Sequence, residues 1–204
     1  MIFVRVLTMV YEAKNFDRLI GIEGMSDQLL KNHFTLYQGY VANVNKIGEL
    51  SQKLELSAPQ YTPEHAELKR RFGWEYNGMV LHELYFENMV KGGKFLDKNS
   101  KLAKLITEKF GSFDKWEKDF RATGAMRGIG WVVLYYSKDD AGKEHLFNIW
   151  INEHDVGHLA GAKPLLVMDV FEHAYMLDYG LKKADYINAF MKAVDWEEVG
   201  KRMI

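Results

Sequence analysis

The 204-residue sequence predicts an α+β fold: a long helical hairpin at the N-terminal end, then a small three-stranded antiparallel sheet flanked by helices. Three observations carry this prediction. From Ser26 to about Leu56 the apolar and aromatic residues recur at spacings of three and four, the signature of one buried helix face. Only three prolines occur, and Pro59 and Pro63 fall close together where that helix should turn back. Runs of β-branched and aromatic residues bounded by turn residues appear only after residue 130.

Taken in order, the opening MIFVRVLTMVYEAK is apolar but interrupted by Arg5 and lacks a clean small-residue cleavage site. It reads as a packed arm rather than a signal peptide, which places the protein in the cytoplasm. The first long helix carries Leu29, Leu30, His33, Tyr37, Tyr40, Val41, Val44, Ile47 and Leu54 on its periodic face. The segment SAPQYTP breaks it. Thr62 can then cap a second helix with Pro63 at its first position and Glu64 in its first turn. That helix runs to about Met89 and stops at the Gly92–Gly93 pair. Two helices joined by a short break make an antiparallel hairpin.

Ser100–Phe110 and Ser112–Phe120 read as two short helices, with Ser112 placed to cap the second. Strands follow over 130–137 and 144–152, joined by the turn-like KDDAGK, with a third over 164–171. The stretch DYINAFMKAVDWEEVGKRM closes the chain as a helix. The division expected is an N-terminal hairpin domain over 1–93 and a C-terminal α/β domain over 94–204.

Composition narrows the chemistry. Twenty-seven basic against 28 acidic residues leave a net charge of −1, so nothing argues for nucleic acid or an anionic membrane as partner. No uncharged run approaches the ~18 residues that span a bilayer. With no cysteine, disulfides, thiolate zinc sites and cysteine nucleophiles are excluded, and any metal must be held by His, Asp or Glu. Aromatic residues at 14% are enough for a dense core or an aromatic-lined site.

Among the seven histidines, His65 and His145 lie beside glutamates and read as solvated. His33 shares one helix face with Tyr37 and Tyr40. His82 lies midway along the second helix, one turn after Gly78, a glycine that costs about 1 kcal/mol there relative to alanine. Either close helix packing or room beside the histidine would explain it. Asp169 and His173, four residues apart, could converge on one cation or pair with each other. Together with His33 and His82 they make a candidate three-His, one-carboxylate cluster, which suits iron, manganese or zinc.

The stretches LHELYFENM, GSFDKWEKDF, GIGWVVLYY and above all DVFEHAYMLDY resemble the iron/manganese superoxide dismutases from about Ser26 to the C-terminus. The most specific feature is the Asp-x-x-x-His pair within D-x-[WF]-E-H-A-Y. The resemblance implies a superoxide dismutase that converts superoxide to dioxygen and hydrogen peroxide, with one iron or manganese between the two domains. His82, Asp169 and His173 then match the ligand positions, and the first long helix supplies the fourth. MSDQLLKNH aligns so that this ligand is His33, whereas an alignment from Tyr40 puts Asn32 there. The family spaces its gateway tyrosine eight residues after the ligand, and here the interval is seven. Eight residues advance a regular helix about 80° off-face while seven return nearly to it, which suits a family helix with one π-bulged residue and favours His33 once that residue is deleted.

The resemblance further implies that Tyr40 gates the substrate channel, Trp131 walls it, and His154 stands against the metal-bound solvent, as in lineages that use a histidine there. Gly78 occupies the position from which other members supply a glutamine, which inclines the metal towards iron. Leu36, Tyr37 and Met176 stand where members have the residues of a polar contact across a dimer, while Glu172 remains. The expected assembly is a homodimer with Glu172 at the interface beside His173. The rival readings are a metalloprotein on this fold without dismutase activity, if Asn32 leaves a two-His-one-carboxylate site, and a metal-free binding protein.

Overall fold

A computed structural model describes residues 10–57 and 62–203. Residues 1–9 of the N-terminal arm and 58–61 of the interhelical break lie outside these residues.

The segment from Tyr11 to Ile22 straps the hairpin from outside. Tyr11 exchanges two hydrogen bonds with the Asn45 side chain, at 2.8 and 2.9 Å, and Phe16, Leu19 and Ile22 are buried. The long helices are α1, Asp27–Ser57, and α2, Pro63–Glu87. α1 is α-helical throughout, and its periodic face is the buried one: Leu29, Leu30, His33, Tyr37, Tyr40, Val41, Val44 and Ile47. Thr62 caps α2 by accepting from the His65 N–H at 3.3 Å, with Pro63 at the first helical position.

α3, Lys101–Phe110, and α4, Phe113–Ala125, begin at the serine caps Ser100 and Ser112. Strands β1, Gly130–Lys138, β2, Glu144–Asn152, and β3, Lys163–Asp169, form an antiparallel sheet in the order β2-β1-β3. β1 is central and buried from Gly130 to Tyr136, because α3 and α4 cover the sheet while α2 lies against β3. Its register sets Trp131 opposite Asp169. The third strand ends at Asp169 rather than at 171, since Phe171 opens a 3-10 turn, Glu172–Ala174, that carries His173.

The closing segment is not one helix. It comprises α5, Met176–Tyr179, α6, Lys183–Ala193, and α7, Trp196–Lys201. Val194 is extended because its carbonyl accepts from Lys94 N–H at 2.9 Å, while Asp195 N–H donates to Asn88 at 2.6 Å. The Asp195 carboxylate then caps α7. Gly93 makes this crossing possible: at φ +62°, a Cβ would lie 2.2 Å from the Lys192 carbonyl oxygen. Among the described residues, no helix is long and apolar enough to cross a membrane.

Candidate metal centre

Four side chains from four places in the chain meet inside the molecule. His33 comes from α1, His82 from α2, Asp169 from the end of β3, and His173 from the turn that follows. One nitrogen or oxygen from each lies within 4.8 Å of the others, the one such group of His, Asp or Glu among the described residues. Three imidazole Nε2 atoms surround a single Asp169 oxygen, Oδ2: His33 at 3.1 Å, His173 at 3.2 Å and His82 at 3.6 Å. His33, His82 and Asp169 are buried, while the His173 side chain is 29% exposed. Asn32 is exposed on the opposite side of α1, where it accepts from Gln28 at 2.8 Å. The regular helix thus brings His33 to the cluster and turns Asn32 away.

The donor atoms are ready for a cation. His82 Nδ1 donates to the Gly78 carbonyl at 2.6 Å, which fixes the proton there and leaves Nε2 as a bare lone pair. That Nε2 is the buried side-chain nitrogen or oxygen without a hydrogen-bond partner among the described residues. An orphaned buried acceptor is costly unless something electrophilic meets it. Burial lowers the pKa of His82 and of His33, keeping both imidazoles neutral. Burial pushes Asp169 upward, but the charge of His173 and hydrogen bonds from His173 and His33 outweigh it, and the carboxyl stays ionised. Neutral imidazoles at His33 and His82 beside an ionised Asp169 are protonation states that a metal requires. Three nitrogens, one oxygen and no thiolate suit iron or manganese.

Asp169 is held at its other atoms. Phe171 N–H donates to Oδ1 at 2.8 Å, and the Tyr186 hydroxyl donates to the backbone carbonyl at 2.6 Å. Beside the cluster, His154 is fully buried on the turn after β2. The Trp131 indole, a donor only, donates to its Nδ1 at 3.0 Å. The neutral ring therefore carries its proton on Nε2, 2.8 Å from the Tyr40 hydroxyl oxygen. Burial pushes the His154 pKa down to about 4, so this arrangement persists at neutral pH. Nε2–H donates to Tyr40, which leaves the phenolic proton free for another acceptor. Burial likewise raises the Tyr40 pKa and keeps it a phenol. His158 sits outside this chain, bonding the His154 carbonyl through Nε2 at 2.8 Å and Tyr135 through Nδ1 at 2.7 Å.

Gly78 has an observable purpose. The Tyr40 ring stacks on His82 with centroids 5.0 Å apart and fills the space a side chain would take, since a Cβ on Gly78 would lie 2.6 Å from Tyr40 Cδ1. Trp131 packs edge-on against His82 at 4.9 Å.

One residue, and the contacts of another, escaped the sequence reading. Trp74 of α2, about two turns before His82, lies 4.4 Å from the His154 ring and 5.7 Å from Tyr40. Its place one helical turn before Gly78 was the available signal. Tyr37, already on the His33 stripe, donates to Glu83 at 2.8 Å and accepts from Lys14 N–H at 3.0 Å. Lys14 lies in the part of the chain with no recognisable pattern.

Residues 98–202 match the family model described as iron/manganese superoxide dismutases, C-terminal domain. The chain belongs to the iron/manganese superoxide dismutases. It is 37% identical to an iron superoxide dismutase of Cupriavidus metallidurans over 199 residues, 95% of this chain and 96% of the relative. An iron superoxide dismutase of Aquifex pyrophilus is 36% identical over 196 residues, covering 94% and 90%. A manganese superoxide dismutase of Haloferax volcanii is 36% identical over 181 residues, covering 87% and 86%. The protein is thus an oxidoreductase that disproportionates superoxide, with iron or manganese as its cofactor.

Proposed function

We propose that His33, His82, Asp169 and His173 hold one iron or manganese ion, and that His154, Tyr40 and Trp131 serve the substrate and proton side of that site. The observation that carries this reading is the buried three-nitrogen, one-oxygen set with the His82 Nε2 lone pair unpartnered. The bound ion supplies one-electron exchange, oxidising one superoxide to dioxygen and reducing a second to peroxide.

The chain supplies the rest. Asp169 contributes the one negative charge of the set and favours the higher oxidation state. Gly78 and Asp169 hold the imidazoles in position, through His82 Nδ1 in the first case. Peroxide formation consumes two protons, and Tyr40 holds one at its hydroxyl oxygen, with His154 Nε2–H behind it. Trp131 locks the His154 tautomer and excludes water on the far side. The ring of Tyr40, stacked on His82, lines the approach.

The site lies between a hairpin unit, 1–93, and an α/β unit, 94–204, each giving two ligands. The assembly is a homodimer with Glu172 at the interface. His173 is the partly exposed ligand, Glu172 beside it is exposed, and a ligand imidazole is ordinarily held by an acceptor at its other nitrogen.

The test is metal content by elemental analysis, with superoxide dismutation assayed on the same samples. His33→Ala and His82→Ala should each lose most bound metal and activity, while Asn32→Ala keeps both. Metal retained by His33→Ala and lost by Asn32→Ala would overturn the ligand set.

A further inference from the structure

We propose that Glu153 is a positioning residue for His154, latched to α2 through the indole N–H of Trp74. Glu153 is the one non-glycine with positive φ among the described residues, at +51°, and it immediately precedes His154. The turn they share is tight: Asn152 and Val156 exchange backbone hydrogen bonds at 2.8 and 3.3 Å, and Glu153 N–H donates to the Ile129 carbonyl at 3.2 Å. A carboxylate side chain in the left-handed region is disfavoured, and such outliers persist where surrounding contacts over-determine them. Glu153 is exposed, so apolar burial does not hold it there.

What holds it is α2. Trp74 Nε1–H donates to Glu153 Oε2 at 3.2 Å. The same indole stands edge-on to the His154 ring, 4.4 Å away at 75°, and the Arg71 guanidinium lies over it, 4.1 Å from the ring centroid. One side chain of the His82 helix thus touches His154 directly and holds the side chain of the residue just before it. From the opposite direction, His158 binds the His154 carbonyl. His154 must meet Tyr40 and Trp131 at once from a loop, where a small misplacement breaks both bonds. The latch lets a loop residue keep helix-like precision.

This inference rests on the role proposed for His154 in turnover, so the experiment includes a readout independent of that role. Hydrogen–deuterium exchange of the metal-loaded enzyme, read on peptides covering 152–158, is compared with kcat and metal content. Trp74→Phe and Glu153→Ala should each raise exchange in that segment several-fold and lower kcat with metal content unchanged. Glu153→Gln keeps an acceptor and should restore both. The double variant should exchange no faster than either single one, since both remove the same bond. Glu153→Gly suits φ +51° and should keep the wild-type Tm, yet lose kcat like Glu153→Ala. Wild-type exchange in both single variants, or additive effects in the double, would overturn the latch. Faster exchange with unchanged kcat would uphold it and count against the role of His154.

Discussion

At the scale of single residues, Gly78 and His154 make opposed tests of the same network. Alanine at position 78 gains about 1 kcal/mol of helix propensity. It also drives a methyl group into the Tyr40 ring, and overpacking typically costs ~1–3 kcal/mol. Gly78→Ala should therefore be neutral to modestly destabilising by calorimetry, while the displaced Tyr40 lowers dismutation far more than stability. His154→Ala removes no proposed ligand and should keep its metal, but lose activity on the order of 100-fold, the lower end for a placed proton-transfer group. His158→Ala should do much less, because its bond reaches only the His154 backbone. Equal, small losses from both would reduce His154 to a loop histidine. Its pKa, about 4 in the folded protein against an ordinary 6.5, also has a signed consequence. Between those values the unfolded chain takes up a proton that the native state refuses, so stability falls as pH drops from 6.5 towards 4. The pH dependence of unfolding should flatten there in His154→Ala. The spacing of His33, His82, Asp169 and His173 was legible in the sequence because helical periodicity and a short local motif expose it. The tautomer lock from Trp131 and the stacking of Tyr40 on His82 were not, since both depend on how β1 and the helices pack.

At the scale of elements, capping chemistry was readable while crossings were not. Thr62 and Ser112 cap their helices as local sequence predicts, and Ser100 caps the helix that the sequence reads as starting at it. The closing segment divides at Val194–Asp195 because of backbone partners a hundred residues away, which no window of sequence contains. The strap belongs to the same class. Arg18 donates to the Met89 and Phe86 carbonyls at 2.6 and 3.0 Å, satisfying the end of α2 where a cation also meets the helix dipole. Lys14 binds Glu83 at 2.7 Å and Glu87 at 2.9 Å. Burial lowers its pKa, but these carboxylates outweigh that and raise it to about 12 from 10.5. Lys14→Gln should cost no more than about 1 kcal/mol, because the ammonium is half exposed and solvent screens the pair. A raised lysine contributes its stability below the unfolded pKa. The difference between wild type and Lys14→Gln in denaturant titrations should thus be full below pH 10.5 and vanish as pH approaches 12. A difference that persists at the alkaline end would assign Lys14 a packing role instead.

At the scale of the whole molecule, the buried centre approaches the surface at His173, and that edge is where assembly should act. Glu172 is exposed there, and Met176 and Leu177 just beyond are 40% and 57% exposed. Leu36, one turn past His33 on the outer side of α1, is a further exposed apolar residue, at 37%. Met176 stands where the family resemblance implies one side of a polar contact across a dimer, so any interface at this edge relies on apolar contact instead. A stable dimer needs on the order of 1,000 Å² or more of buried surface, and exposed apolar residues beside the ligand turn supply a natural centre for it. In such a dimer the Glu172 carboxylate of one protomer would accept from the His173 ring of the other, orienting the ligand and raising its basicity. Sedimentation at micromolar concentration should therefore give twice the 23.7 kDa chain mass. Glu172→Gln, which retains an acceptor, should stay dimeric and hold its metal more weakly. Glu172→Lys removes the acceptor for the His173 ring and reverses the charge at this edge, and should shift the population towards monomer and release metal in the same samples. The two losses should track each other across protein concentration, because one contact serves both. A wild-type monomer that remains fully metallated would show that His173 is oriented within its own chain, and would dissolve the link between assembly and metal retention.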